Sequence, residues 1–456
     1  MKKRTIIFVT VLGALSVAAL LAQDITEWIT GKAGGKTALA VVDFRGTGEA
    51  APLMATFSST LYNDLQNSGI FELKPKSMFP LNNPQQPSDL SRQEKPGDGY
   101  ALQDWAGPPV STSDLVFGYT AAQNGLLVLY GYVYNVRQPN VQTAQVLFDR
   151  LPDSLDEAGA TRIAHQFASD IIQKFGGASL LGSRIYFTSD RGGSGKFGTE
   201  VWVMDWDGGN QHQLTHLGGQ VAYPAISSDG SRLAVTFWPA AGGQPRIDMI
   251  NTDTGRTAPF YNQDASLNAA ANFTPDGKRI FYSSTASGSA QIYSAGIDGR
   301  GFSRVSNTRG NPSEPKVNPK NPDSLLFVDG QPNEQIFRMN AEGVGVERVT
   351  NGEGEASNPA WNPDGQHIAY AWTKGYQAGD FNIFVIDIGA PQDYIQLTHS
   401  EGKNENPVWA PDGAHLVFTS TRSGRRSQIF SMTSAGGQVK QLTMQGINKY
   451  PVWGVK

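Results

Sequence analysis

Residues 358–372 read NPAWNPDGQHIAYAW, and close variants recur through the second half of the chain. YPAISSDGSRLAVTF begins at Tyr223, AAANFTPDGKRIFYS at Ala269 and NPVWAPDGAHLVFTS at Asn406. The anchoring positions are Pro224, Ala271 (where the other repeats have proline), Pro315, Pro359, Pro407 and Pro451, separated by 47, 44, 44, 48 and 44 residues. Periods of that size belong to propeller blades, solenoid turns or arrays. The content of the repeat chooses among them. A short apolar strand follows each anchor and runs into a turn at Asp229–Gly230, Asp276–Gly277, Asp364–Gly365 or Asp412–Gly413. Asp-Gly is a strong hairpin signal, because the turn needs positive φ. A second strand follows, then a third (QIYSAGIDG from Gln291, QIFRMNAEG from Gln335, QIFSMTSAGG from Gln428). A fourth ends in QLTH at Gln213, RVTN at Arg348, QLTH at Gln396 and QLTM at Gln441. Four strands per repeat, with no apolar spacing of three or four, describe a β-propeller blade.

The ends of the array set the blade number. GSRIYFTSD from Gly182 matches a second strand with no first strand before it, and YPVWGVK from Tyr450 matches a first strand with nothing after it. Each is the missing half of the other. The expectation is a six-bladed ring in which the C-terminal strand completes the first blade, leaving only short, protected sheet edges. Two repeats depart from the pattern: NPKNPDSLLF carries an insertion at its turn, and the second blade lacks an LT ending near Thr257.

Residues 37–177 follow different rules. TALAVVDF is a buried strand, and Leu53, Phe57, Leu61 and Leu65 then recur every four residues as one helix face. IFELK, DLVFGYT, GLLVLYGYVYNV and TAQVLFDR read as further strands around a Pro/Gln/Asn-rich loop from Pro75 to Gly99. A second helix carries Ile163, Phe167, Ile171 and Phe175, opened by a capping box of Ser154 and Glu157 and stopped at Gly176–Gly177. The order predicts a small α/β domain. The expected organisation is therefore a signal segment at 1–22, an arm at 23–36, an α/β domain at 37–177 and a propeller at 178–456. Lys2, Lys3 and Arg4 before the apolar run Ile6 to Ala22 supply the signal reading, with cleavage after Ala22; a single membrane anchor is the other reading of such a run. The mature protein is expected to be soluble and extracytoplasmic.

Composition removes several chemistries. The chain of 456 residues has no cysteine, which excludes disulfides, thiol catalysis and zinc-thiolate sites. A net charge of −4 without a basic block argues against nucleic acid. GTGEAA at Gly46 is a lone glycine loop, explained by a tight strand-to-helix turn, and RGGSGKFG at Arg191 fails the phosphate-loop pattern at Asp190 and Phe197. His212 and His216 lie in strand and loop, so no metal is expected. The Asp residues of the repeated turns are read as turn formers, and Trp361, Trp409 and Trp453 as core. No nucleophile elbow is present. No catalytic residue, cofactor or metal is expected.

A secretion signal, a small α/β domain with ALAVVDF and LYNDLQNSGIFEL, and a propeller with P-x-W-x-P-D-G and QLT repeats together resemble the TolB family, across essentially the whole mature chain. DLVFGYT and a helix leading directly into the propeller narrow the resemblance, as does the absence of room for a hydrolase domain after YPVWGVK; the propeller motifs alone are shared with peptidase propellers. The resemblance implies a periplasmic, non-catalytic component of the Tol–Pal system, monomeric and membrane-associated only through partners. Members of the family bind Pal, the peptidoglycan-associated lipoprotein, over the propeller mouth. They offer the N-terminal arm to TolA, in support of outer-membrane integrity and invagination at cell division. DFRGTG and the long 75–99 loop depart from the family pattern. In a propeller the residues before each P-x-W strand should ring one mouth: Ala222, Tyr223, Asn268, Ala270, Ser313, Glu314, Ser357, Asn358, Glu405, Asn406, Lys449 and Tyr450. For the arm, Ile25, Trp28 and Ile29 are the apolar handles. The rival readings are a secreted propeller hydrolase or lyase acting on envelope glycans or peptides, and an adhesion scaffold.

Overall fold

The computed structural model describes residues 36–455, apart from 93–94, 194, 196–197 and 331. The expected signal and nearly all of the arm, with Ile25, Trp28 and Ile29, lie outside the described residues, as does part of RGGSGKFG. The described residues form two compact units that meet in sequence between Leu181 and Gly182.

The first unit is a mixed sheet with helices on one face. Its strands are β1 (Thr37–Val41), β2 (Arg45–Thr47), β3 (Phe71–Leu73), β4 (Asp114–Gln123), β5 (Leu126–Asn135) and β6 (Gln145–Ser154). The order is β3-β1-β4-β5-β6, with β2 beside β4. β1 runs parallel to both β3 and β4, and the β4–β5–β6 meander is antiparallel. The predicted helix faces appear as α1 (Met54–Asn67) and α2 (Glu157–Lys174), which bury Phe57, Leu61 and Leu65 and Ile163, Phe167 and Ile171 in one core with the sheet. The paired glycines Gly118 and Gly131 admit this close approach: a Cβ on Gly118 would lie 2.4 Å from the Phe44 ring, and one on Gly131 2.5 Å from that of Phe167. The cap of α2 differs from the expected Ser154–Glu157 box. Asp156 is the N-cap and accepts the Gly159 N–H at 2.7 Å, while Ser154 donates to Asp156. A carboxylate one residue before the helix outcompetes a hydroxyl two further back, because it also meets the positive end of the helix dipole.

The 75–112 excursion covers the other face. Leu90, Leu102 and Trp105 from it pack on Ala40, Val42, Leu115 and Phe117, and the fully buried Trp105 indole donates to Gly99 O at 3.1 Å. The stretch read as a loop thus supplies a second core.

The second unit is six four-stranded antiparallel sheets. Blade 1 takes its innermost strand from the chain's end: Asn448–Gly454 pairs with Arg184–Ser189, with Val452 opposite Tyr186 and Trp453 opposite Ile185. Blades 2 to 6 have innermost strands Gly219–Ile226, Asn268–Phe273, Ser313–Val317, Ala356–Trp361 and Asn404–Trp409. The ring is closed as expected.

The recurring letters have a structural reason. At the outer side of a blade, the Thr of the LT ending forms a clasp with the first residue of the third strand. Thr443 donates to Gln428 Oε1 at 2.8 Å and accepts the Ile429 N–H at 2.8 Å. The same two bonds join Thr350 to Gln335 and Ile336, Thr398 to Asn382 and Ile383, Ser306 to Gln291 and Ile292, and Thr215 to Glu200 and Val201. In blade 2, whose LT ending is missing, the outer strand Thr257–Ala258 still forms. Asn262 takes over the clasp: its Oδ1 accepts the Ile247 N–H and its Nδ2 donates to Ile247 O, both at 2.9 Å. A side-chain amide supplies donor and acceptor together, so it satisfies the backbone without the threonine.

The Asp-Gly turns hold φ values of 71°, 66°, 74° and 66° at Gly230, Gly277, Gly365 and Gly413. Their carboxylates accept backbone N–H groups two residues on, Asp229 from Ser231 and Asp276 from Lys278. Hydrogen bonds to Ser227 and Thr274 hold these two carboxyls below the usual range. The turn-forming role is what the geometry displays.

Candidate functional site

The innermost strands share one irregularity. Each loses register at the anchor, between Ala222 and Ala225, Ala269 and Asn272, Ser313 and Lys316, Ser357 and Ala360, Glu405 and Val408, and Lys449 and Val452. At the same place stands a residue in the left-handed region: Tyr223, Ala270, Glu314, Asn358, Asn406 and Tyr450, with φ between 50° and 53°. These are β-bulges, a setting in which glycine is the residue that carries no steric penalty. None of the six is glycine. Left-handed backbone costs a side-chain-bearing residue about 1–2 kcal/mol, so the ring keeps side chains against a backbone penalty. The residue that follows is proline in five of the six blades, and its missing N–H costs nothing on a strand edge that faces the channel.

The bulges turn the side chains inward and toward neighbouring blades. Tyr223, Glu314, Asn358, Asn406 and Tyr450 line a channel cavity of about 230 Å³. Asn358 Nδ2 reaches both carboxylate oxygens of Glu314 at 3.2 Å, and Asn406 donates its N–H to Asn358 Oδ1 at 3.3 Å. Blades 4, 5 and 6 are joined through these three residues. On the other side of the ring the Tyr223 and Tyr450 rings lie 4.6 Å apart, with their hydroxyls hydrogen-bonded to each other. Burial pushes both phenols up, Tyr223 far above the ordinary range.

The remaining expected rim residues divide by exposure. Ala222, Asn268 and Ser357, expected on the mouth, are buried between strands and offer little surface there. For Ala222 and Ser357 the cause is strand alternation: the neighbour of an inward-turned residue points into the sheet stack. Ala270 is also nearly covered, at 9% exposure, and donates its N–H to Thr236 of the adjacent blade. Ser313 and Glu405 are half-buried and Lys449 is exposed. Near Glu405 the charge is acidic. Glu355 has its carboxyl raised by partial burial and by the Glu334 and Glu405 carboxylates, against Lys403. Lys403 pairs with Glu405 at 2.8 Å. The loop before Lys449 exposes Met444 and Ile447.

Lys316 is a site residue that the motif reading passed over. It lines the cavity two positions from Glu314 and is half-buried. Burial pulls its ammonium down and pushes the Glu314 carboxyl up, and each charge partly restores the other. The signal was available: Lys316 stands where the other repeats have Ala225, Asn272, Ala360, Val408 and Val452. Trp361 supports it from blade 5, its Nε1 donating to Lys316 O at 3.0 Å. Trp361, Trp409 and Trp453 are all buried, as core. Among the described residues Glu314 is the one carboxylate lining the cavity, so the facing pair that a glycosidase requires is not assembled there.

Comparison with known proteins gives a consistent picture. Residues 182–374 and 345–455 match the family model of the TolB beta propeller domain, and residues 28–94 that of the TolB amino-terminal domain. A Protein TolB homolog of Chlorobium chlorochromatii (strain CaD3) is 29% identical over 255 residues, 55% of this chain and 52% of the relative. The Tol-Pal system protein TolB of Roseobacter denitrificans (strain ATCC 33942 / OCh 114) is 25% identical over 223 residues, 48% of this chain and 46% of the relative. The matched stretches thus span about half the length of these curated relatives. The crystal structure of TolB from Acinetobacter baumannii superposes with a TM-score of 0.72 at 19% identity, covering 93% of this chain and 98% of that one, a likeness of fold.

Proposed function

Because the chain belongs to the TolB family, we propose that it is a periplasmic protein-binding component of the Tol–Pal system without catalytic activity. Its propeller face, where the innermost strands begin, docks the periplasmic domain of a Pal-type lipoprotein. Its N-terminal arm at 23–36, with Ile25, Trp28 and Ile29, engages TolA. Through the two contacts it supports outer-membrane integrity and invagination during division.

The observation that carries the docking reading is the ring of left-handed, non-glycine residues at the channel. Backbone strain that persists in every blade needs a reason, and such strain collects at recognition sites. Around it lie features that suit a protein partner: the half-buried acidic group near Glu405, the exposed Lys449, and apolar Met444 and Ile447.

Calorimetric titration of the mature chain with the periplasmic domain of its own Pal-type lipoprotein tests the reading. Saturable binding is expected, weakened about tenfold by Glu405→Lys, which sets two lysines side by side at the rim (~1.4 kcal/mol). Glu405 is the cleaner reversal, since Glu314→Lys would place a second ammonium against Lys316 inside the channel. Absence of heat with the cognate domain would remove the docking reading. Deleting 23–36 is expected to abolish TolA binding and leave propeller stability unchanged; unaltered TolA affinity would refute the role of the arm.

A further inference from the structure

Blades 1, 3 and 6 begin alike. In each, an asparagine at the head of the innermost strand faces a serine at the end of the second strand, which faces a Glu or Gln opening the third. The rows are Asn448–Ser189–Glu200, Asn268–Ser284–Gln291 and Asn404–Ser420–Gln428. In all three the serine Oγ accepts the backbone N–H two residues on, at 3.2, 3.2 and 3.1 Å, from Arg191, Ala286 and Arg422. The backbone therefore aims these three side chains the same way.

Two of the three are arginines, and they make the same contacts. Arg191 and Arg422 donate Nε to the serine at 3.0 and 3.2 Å, and Nη2 to the asparagine Oδ1 at 3.5 and 3.1 Å. Each guanidinium lies over two rings, Arg191 over Phe187 and Trp202, Arg422 over Phe418 and Phe430. Blade 3 keeps the rest of this socket. Besides Asn268 and Ser284 it has Tyr282 and Tyr293 at the ring positions, 6.2 Å apart and inclined at 34°, against 5.9 Å and 31° for Phe418 and Phe430. It lacks the cation, because position 286 is an alanine, and that alanine is exposed.

The missing side chain leaves a mark. Asn268 is 1% exposed, and its Nδ2 donates to the carbonyl two residues back, as that of Asn404 does. Its Oδ1, the atom that meets arginine in the sister blades, has no donor among the described residues. Gln263, also buried, donates to the Tyr282 hydroxyl at 2.7 Å and leaves its own Oε1 without a donor. Buried acceptors left unmet are costly.

These parts decide what fits. An anion would be repelled by the carbonyl oxygens and the ring faces. A neutral amide would meet the oxygens and gain nothing from the rings, whose faces attract cations. An ammonium would gain from the rings but lacks the planar fork that bonds two acceptors at once. A guanidinium does both, and this chain uses it twice in the same setting.

We propose that blade 3 carries a socket for an arginine side chain presented by a partner protein, its guanidinium on Asn268 and Ser284 and over Tyr282 and Tyr293. It is entered at the exposed Ala286, in the loop between the second and third strands. The socket stands on the comparison of blades and does not require that the partner be a Pal-type lipoprotein.

The experiment titrates the mature chain with N-acetylarginine methylamide, with the citrulline and lysine analogues as neutral and non-planar controls, followed by calorimetry and by NMR of the side-chain amides. The arginine probe is expected to bind at millimolar concentration and at least about fivefold more tightly than either control. Ala286→Arg supplies the side chain from within, as in blades 1 and 6, and is expected to raise the thermal midpoint and to abolish binding of the probe. Asn268→Leu is expected to lose the probe as well; should it not fold, the ranking of the three probes and the Ala286→Arg protein decide the matter. Equal affinity for the arginine and citrulline probes, undiminished binding by Ala286→Arg, or no saturable signal with the arginine probe at about 10 mM would overturn the proposal and leave the unmet oxygens to water.

Discussion

The inner and outer strands of this propeller repeat in opposite ways. On the outer side the chemistry recurs: in five blades a Thr or Ser hydroxyl ties a Gln, Asn or Glu side chain and the next backbone N–H into one clasp. On the inner side the geometry recurs and the chemistry does not. The same left-handed bulge carries Tyr, Ala, Glu, Asn, Asn and Tyr. Repeated chemistry solves a folding problem that every blade has. Repeated geometry with varied side chains presents a surface that differs around the ring, which is what recognition requires. The contrast separates scaffold from site without any knowledge of a partner.

Thr443→Val gives the strongest test. The side chain is fully buried, and its loss leaves the Ile429 N–H without an acceptor and removes one donor from Gln428. A loss of about 2 kcal/mol in urea-unfolding free energy is expected, with partner binding unchanged while the protein is folded. Loss of binding without loss of stability would break the division between outer and inner strands. Asn262→Ala asks whether blade 2 has a true substitute for the clasp. It strips both partners from Ile247 and is expected to cost about 1.5 kcal/mol by the same measurement. A neutral result would leave blade 2 without a clasp and make the outer rule less general.

How far the sequence carried this reading follows from the same contrast. The anchoring prolines, the Asp-Gly turns and the LT endings are written in letters, so the period, the closure by YPVWGVK and the blade number were all legible. Asn262 was not, because it replaces the threonine from a different position in the loop. The inner rule writes itself only in backbone. No motif announces that Asn358 and Glu314 share a left-handed conformation, although the proline after each marks the place. Lys316 was legible as the one charge among Ala, Val and Asn at its repeat position, directly after the anchor Pro315. In the first unit Trp105 was hidden because its helix, Gln103–Ala106, is too short to show a period.

Strain of an electrostatic kind gives a smaller test. Asp149 on β6 has its carboxyl pushed up to about 6 by burial and by the neighbouring Asp170 carboxylate. A raised carboxyl favours folding while protonated, so that stabilisation fades as pH rises from about 4 through 6. Asp149→Asn is therefore expected to stabilise the protein by about 1 kcal/mol at pH 7.5, after allowance for solvent screening of this half-exposed pair. The gain should vanish below about pH 4, measured as unfolding free energy against pH. Unlike the channel residues, this pair is expected to affect stability alone. A change in partner affinity would place a second site on the α/β unit.

The smallest effect addresses the ring directly. Ala270 holds φ at 53° and does not line the cavity, so its side chain bears the backbone penalty without a recognition role. Ala270→Gly relieves about 1 kcal/mol of left-handed strain. It also gives the unfolded chain more freedom and removes one methyl from a nearly buried position, which together cancel part of that gain. A net stabilisation of about 0.5 kcal/mol is expected, with binding intact. Asn358→Gly relieves the same strain and deletes the amide that holds Glu314, so stability should change little while partner binding falls. If both variants leave binding untouched, the bulge is a device for stacking blades and nothing more. If only Asn358→Gly alters it, the strain at that position is what keeps a working side chain in the channel.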